Sequence, residues 1–158
     1  MEMVKEGETA PDFALQDDQG NTLKLSDFSG KKTVVLFFYP KANTPGWIRE
    51  ASGFRDAKAK IQKKGAVAIG ISGDSVDRQA KFRDKYSLNM PLLADTEKKV
   101  AADYGVYKPK SLFGKLGMGI ERTTFIIGKD GLIKMIFPKV KIAGHVEEVL
   151  QALDSMQK

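Results

Sequence analysis

Thr33-Val34-Val35-Leu36-Phe37-Phe38-Tyr39 is followed by the polar stretch Pro40-Lys41-Ala42-Asn43-Thr44-Pro45-Gly46, and then by a helical pattern running to about Lys64. An apolar run without alternation is the pattern of a strand buried on both faces. The helix places Ala51, Phe54 and Ile61 on one side. It closes with Lys63-Lys64-Gly65, a cationic last turn followed by a residue suited to a left-handed cap. Ala66 to Ser72 reads as a second buried strand. A strand–helix–strand run of this length implies a right-handed parallel crossover. The fold class is therefore α/β.

The remaining elements fit around that unit. Phe13 to Leu15 and Thr22 to Leu25 flank Asp17-Asp18-Gln19-Gly20 and predict an N-terminal hairpin. A charged helix is expected from about Ser75 to Tyr86, a short strand near Leu92-Leu93, and a helix from Thr96 to Tyr104 stopped by Gly105. Thr123 to Ile127 and Leu132 to Phe137 flank Gly128-Lys129-Asp130-Gly131, where Asp-Gly suits a hairpin turn. Val146, Val149, Leu150 and Leu153 recur at helical spacing near the end. The sum is a mixed sheet covered by helices, with residues 1–158 expected to form a single domain.

Composition excludes several chemistries. The chain has 158 residues, no cysteine and one histidine. It can form no disulfide, offers no thiolate nucleophile and supplies no sulfur ligand to zinc or an iron–sulfur cluster. Multi-histidine metal sites are excluded as well, and no metal or other cofactor is expected. His145 is expected to be a solvated residue at a helix end. No apolar stretch approaches the ~20 residues of a membrane span. No secretory signal is visible in Met1 to Glu6, so a cytoplasmic protein without membrane association is the expectation.

The net charge is +6, with Lys+Arg 26 against Asp+Glu 20. Most lysine pairs are interrupted by acids. Lys108 to Lys115 and Lys134 to Lys141 are denser, as a phosphate-binding surface with aromatic interleaving would be. Neither carries a nucleic-acid fold signature, so nucleic acid is not the expected partner.

In open α/β sheets, ligands bind beyond the carboxyl ends of parallel strands. Here that place is the Tyr39 to Trp47 segment. Thr44 followed by Pro45 fits a helix N-cap and first helical position, which aims free N–H groups and the positive dipole end into the loop. Such a loop is equally readable as a well-capped helix start.

The same segment carries a resemblance. Gly7-Glu8-Thr9-Ala10-Pro11-Asp12-Phe13 resembles the peroxiredoxin opening. Phe37 to Gly46 is similar to the active-site approach of the PrxQ, or bacterioferritin comigratory protein, subfamily, and Glu50-Ala51-Ser52-Gly53-Phe54-Arg55-Asp56 continues the likeness. Gly119-Ile120-Glu121-Arg122-Thr123-Thr124-Phe125-Ile126-Ile127 and Lys129-Asp130-Gly131 resemble the second signature. The resemblance implies a thioredoxin-like fold, a central mixed sheet with helices on both faces. It also implies reduction of hydrogen peroxide and organic hydroperoxides by a cysteine thiolate, thioredoxin as the reductant, and a monomer.

By that resemblance, Trp47 holds the peroxidatic cysteine position and Ser52 the resolving one. Arg122 would stabilise the thiolate and polarise the peroxide, and the Thr44 hydroxyl would hydrogen-bond it. Pro40, Pro45 and Gly46 would shape the pocket wall. A relative bridging two positions five apart must unwind the first helical turn, because about 7.5 Å of rise exceeds the usual ~7 Å disulfide limit.

In this chain the cycle cannot start, because indole and hydroxyl do not replace thiolates. Loss at only the two sulfur positions suggests an engineered, inactive version of a peroxidase scaffold; the alternative is a natural, non-catalytic binding or interaction protein. Trp47 is also too large for a pocket that holds a thiol and a peroxide. Two outcomes stay open. Trp47 swings outward and holds Thr44 to Phe54 locally unfolded, or it lies harmlessly on the helix surface.

Overall fold

The computed structural model describes residues 3–42, 44–112 and 115–156, and the side chains of residues 110–116 lie outside that description. Its strands are β1 (Ala14–Gln16), β2 (Thr22–Lys24), β3 (Thr33–Phe38), β4 (Ala66–Ser72), β5 (Leu92–Ala94), β6 (Tyr107–Leu112), β7 (Lys115–Ile120), β8 (Thr123–Ile127) and β9 (Ile133–Phe137). Its α-helices are α1 (Pro45–Asp56), α2 (Lys58–Lys63), α3 (Val76–Tyr86), α4 (Lys99–Tyr104) and α5 (His145–Met156).

The central sheet has the order β5-β4-β3-β8-β9. β3, β4 and β5 are parallel, while β8 runs antiparallel to β3 and β9 antiparallel to β8. β3 is buried along its whole length, as its uninterrupted apolar run requires. Its alternation feeds two cores. Val35, Phe37 and Tyr39 pack with α1, α2, α3 and α5, whereas Val34, Leu36 and Phe38 pack with α4 and the N-terminal segment. Full burial of each large apolar side chain contributes about 1.5–3 kcal/mol. The sheet is thus mixed and covered by helices on both faces.

Several expected boundaries shift. The helix expected to continue to Lys64 breaks at Ala57, which has φ −91° and ψ 2°, yet Phe54 and Ile61 stay in the same core across the break. α4 begins at Lys99 rather than Thr96, because Asp95 accepts the Val100 and Ala101 N–H groups at 3.2 and 2.9 Å and so fixes the first turn.

The sequence pattern missed β6 and β7, which pair as an antiparallel hairpin. Pro109, Gly117 and Gly119 lie within that hairpin and mask its strand character. Of the basic stretch expected there, Lys108 is ion-paired to Glu121 at 2.6 Å, while the side chains of Lys110 and Lys115 lie outside the described residues. In the second basic stretch, Lys134 is held by Asp130 at 2.6 Å. No helix among the described residues is long and apolar enough to cross a membrane.

Candidate functional site

The loop after β3 carries the chain to α1, whose first turn forms as the sequence predicts. Thr44 is extended at the N-cap (φ −95°, ψ 147°) and Pro45 occupies the first helical position. The Thr44 hydroxyl does not cap the helix, however. It donates to the Lys41 carbonyl at 3.0 Å. Pro40 and Pro45 are exposed, and Asn43 lies outside the described residues.

Gly46 does have a steric role. A Cβ there would lie 3.1 Å from both Arg122 Nη2 and Ile142 Cδ1, so a side chain at this position would press on the guanidinium where it approaches the first turn. The structure therefore brings Arg122 and Gly46 together. No hydrogen bond joins Thr44 to Arg122 among the described residues.

Trp47 overturns both outcomes left open for it. It neither swings outward nor lies on the surface: it is fully buried, inside an intact helix. Its indole stacks on Tyr39 with centroids 3.7 Å apart and planes 7° from parallel. Phe37 and Phe82 close the cage at 4.8 and 5.8 Å. The expected overpacking does not arise, because three aromatic side chains from β3, its end and α3 are arranged around the ring. One cost remains: the indole Nε1 is buried without a hydrogen-bond partner.

Three residues later on the same helix is Glu50, to which the sequence reading gave no role. Its carboxyl is 1% exposed, with Oε2 3.3 Å from Arg122 Nη1 and Oε1 unpartnered. Burial pushes its pKa up to about 7, against the opposing pull of the Arg122 guanidinium. Arg122 thus faces a carboxyl rather than an open pocket. Ser52, on the following turn, is half-buried.

A buried polar chain, also invisible in the sequence, fixes the loop from behind. Tyr39 Oη donates to Gln79 Oε1 at 2.5 Å, and Gln79 Nε2 donates to Ser72 Oγ at 3.0 Å. Ser72 Oγ then donates to Asp74 Oδ2 at 2.7 Å, which also accepts the Ala42 N–H at 2.7 Å. Loss of one member would leave others unsatisfied, so the chain ties β3, β4, α3 and the loop into one unit.

His145 is a further correction. It starts α5 but is 1% exposed rather than solvated, and its Nε2 lies 2.9 Å from Thr124 Oγ1. Phe54 and Phe137 meet the ring edge-on at 6.0 and 5.4 Å. Burial lowers its pKa, against the opposing pull of the Glu148 carboxylate. Among the described residues, no three His, Cys, Asp or Glu side chains gather as metal ligands would.

A mixed five-stranded sheet flanked by helices, with a helix starting at the carboxyl end of its central strand, is a thioredoxin-like arrangement. The AhpC/TSA family profile matches residues 7–136. A putative peroxiredoxin bcp of Coxiella burnetii is 48% identical over 150 residues, which cover 95% of this chain and 99% of that one. Peroxiredoxin Bcp of Bacillus subtilis is 46% identical over 155 residues, covering 98% of each.

Among solved structures, bacterioferritin comigratory protein of Xanthomonas campestris superposes with a TM-score of 0.88 at 34% identity, covering 92% of each chain. A cysteine-to-serine mutant of Xylella fastidiosa PrxQ gives a TM-score of 0.93 at 31% identity, covering 100% of this chain and 99% of that one. The chain belongs to the AhpC/TSA peroxiredoxins, in the Bcp/PrxQ subfamily, and it is a cysteine-free member.

Proposed function

We propose that this chain is a non-catalytic peroxiredoxin, a binding or interaction protein that keeps the subfamily's fold without turning over hydroperoxides. The observation that carries this reading is the Trp47 cage. A side chain that fills a fitted aromatic site, with Tyr39 stacked on it at 3.7 Å, is part of the core rather than a plug in a reaction pocket.

An engineered origin for the two replacements, expected from the resemblance, finds no support in this site. The relatives' chemistry is hydroperoxide reduction, and the Xanthomonas campestris protein is described by its alkyl peroxide reduction activity. That step needs a thiolate to attack the peroxide oxygen, and thioredoxin then needs a disulfide or sulfenic acid to reduce. Trp47 and Ser52 supply neither. In addition, a cysteine placed in the Trp47 cage would be buried among apolar rings, where a thiol's pKa rises and its reactivity falls.

The test is hydrogen peroxide consumption with a thioredoxin system, comparing this chain with the Trp47→Cys, Ser52→Cys double variant. Neither is expected to consume peroxide above the rate without protein. Consumption by the double variant alone would mean a competent pocket that lacks only its sulfurs. Consumption by the unaltered chain would overturn the proposal.

A further inference from the structure

We propose that the cleft between α3 and the loop after β3 is a binding site for a small organic polyanion, one with at least two phosphate or carboxylate groups. The cleft is open to solvent, has a volume of about 460 Å³, and lies beyond the carboxyl ends of the adjacent parallel strands β3 and β4. Of the residues expected around a peroxide pocket only Thr44 borders it, while Arg122, Pro40, Pro45 and Gly46 do not line it, so the cleft extends away from that pocket along α3.

Its walls are cationic. Arg78, Lys81 and Lys85 follow one another along α3 at intervals of three and four residues, which puts them on one face. The stripe spans about 10 Å. Lys41, from the loop after β3, and Phe82, from α3, also line the cleft. Asp74 is the one acid in the lining, and its carboxylate is engaged: Oδ2 accepts from Ala42 N and Ser72 Oγ, and Oδ1 lies 3.8 Å from Arg78 Nη1. Lys41, Lys81 and Lys85 have no carboxylate partner within ion-pair distance among the described residues. Asp77 and Asp84 of the same helix do not line the cleft, and Asp84 is taken by Arg83 at 3.0 Å.

The arrangement is also held in place. The hydrogen bond from Ala42 to Asp74 ties the loop next to Lys41 to the segment before α3, and Ser75 caps that helix by accepting the Arg78 N–H at 3.2 Å. A cluster of cations lining one cleft gains most from a multivalent anion, which more than one of them can contact.

Calorimetric titration with sodium tripolyphosphate and with citrate, at low ionic strength, tests this. Trp47 is the chain's one tryptophan and lies 5.8 Å from Phe82, so its fluorescence is a second readout. The expected result is saturable one-site binding that weakens as salt is raised. Lys81→Glu, Lys85→Glu should weaken it roughly tenfold or more, whereas Lys60→Glu, Lys63→Glu on α2, with the same change in net charge, should leave it nearly unchanged. Tighter binding of tripolyphosphate identifies the ligand as a phosphate compound, and tighter binding of citrate as a polycarboxylate. Absence of saturable binding by both anions would overturn the proposal, as would an equal loss in the α2 control.

Discussion

The Trp47 indole lies flat on the Tyr39 ring, 3.7 Å between centroids, in the first turn of α1. Two aromatic side chains from different elements stacked this closely act as a structural pin. Replacing a buried aromatic by alanine typically costs about 3–5 kcal/mol. Trp47→Ala should fall in that range by urea denaturation followed by far-UV circular dichroism. A loss below about 1 kcal/mol would show that the cage contributes little.

Glu50 gives stability a pH dependence of defined sign. Its folded pKa of about 7 lies above the ordinary carboxylate value, so the folded state binds the proton more tightly than the unfolded state. The associated stability is fully present below the unfolded pKa and is lost as pH rises through about 7. Glu50→Gln should remove this slope. Denaturation midpoints measured at pH 5 and pH 8 should therefore differ less in the variant than in the unaltered chain. An unchanged slope would contradict the assignment.

His145 acts in the opposite direction. Burial lowers its pKa, and the exposed Glu148 carboxylate, 3.9 Å from Nδ1, only partly offsets this; Arg122 adds to the lowering. Its stabilising contribution is present above the unfolded pKa and is lost as pH falls through the folded one. His145→Gln should flatten the acid limb of the stability profile and leave the limb near pH 7 to Glu50.

Gly53 marks the close approach of α1 to α5. A Cβ at Gly53 would lie 2.9 Å from Val146 Cγ2, and valine is stiff at χ1 within a helix. Gly53→Ala should therefore destabilise the protein by about 1–3 kcal/mol despite alanine's better helix propensity. A more stable variant would mean that α5 shifts easily.

Much of this architecture is visible in local pattern. The apolar run of β3, the Thr44-Pro45 start of α1 and the Asp130-Gly131 turn between β8 and β9 each depend on neighbouring residues. What the sequence concealed depends on distant partners. Phe37 and Tyr39 stand on the same face of one strand, but nothing local places Phe82 opposite them to complete the cage. His145 continues the buried stripe of α5, four residues before Val149, but its partner Thr124 lies on another element, so nothing local shows that the imidazole is satisfied there. Glu50 stands three residues after Trp47 and four before Phe54, on the buried face of α1. Its partner Arg122 comes from a distant part of the chain, so nothing local marks the carboxyl as paired and buried. β6 and β7 were hidden because pairing and register, rather than residue propensity, form that hairpin.

Amide hydrogen exchange across α1 tests most directly whether Trp47 makes this helix a fixed part of the core. Ile48 to Phe54 should exchange as slowly as β3, through global opening, and the Trp47→Ala variant should lose that protection. Exchange through this segment that is orders of magnitude faster than in β3, with Trp47 in place, would contradict the account.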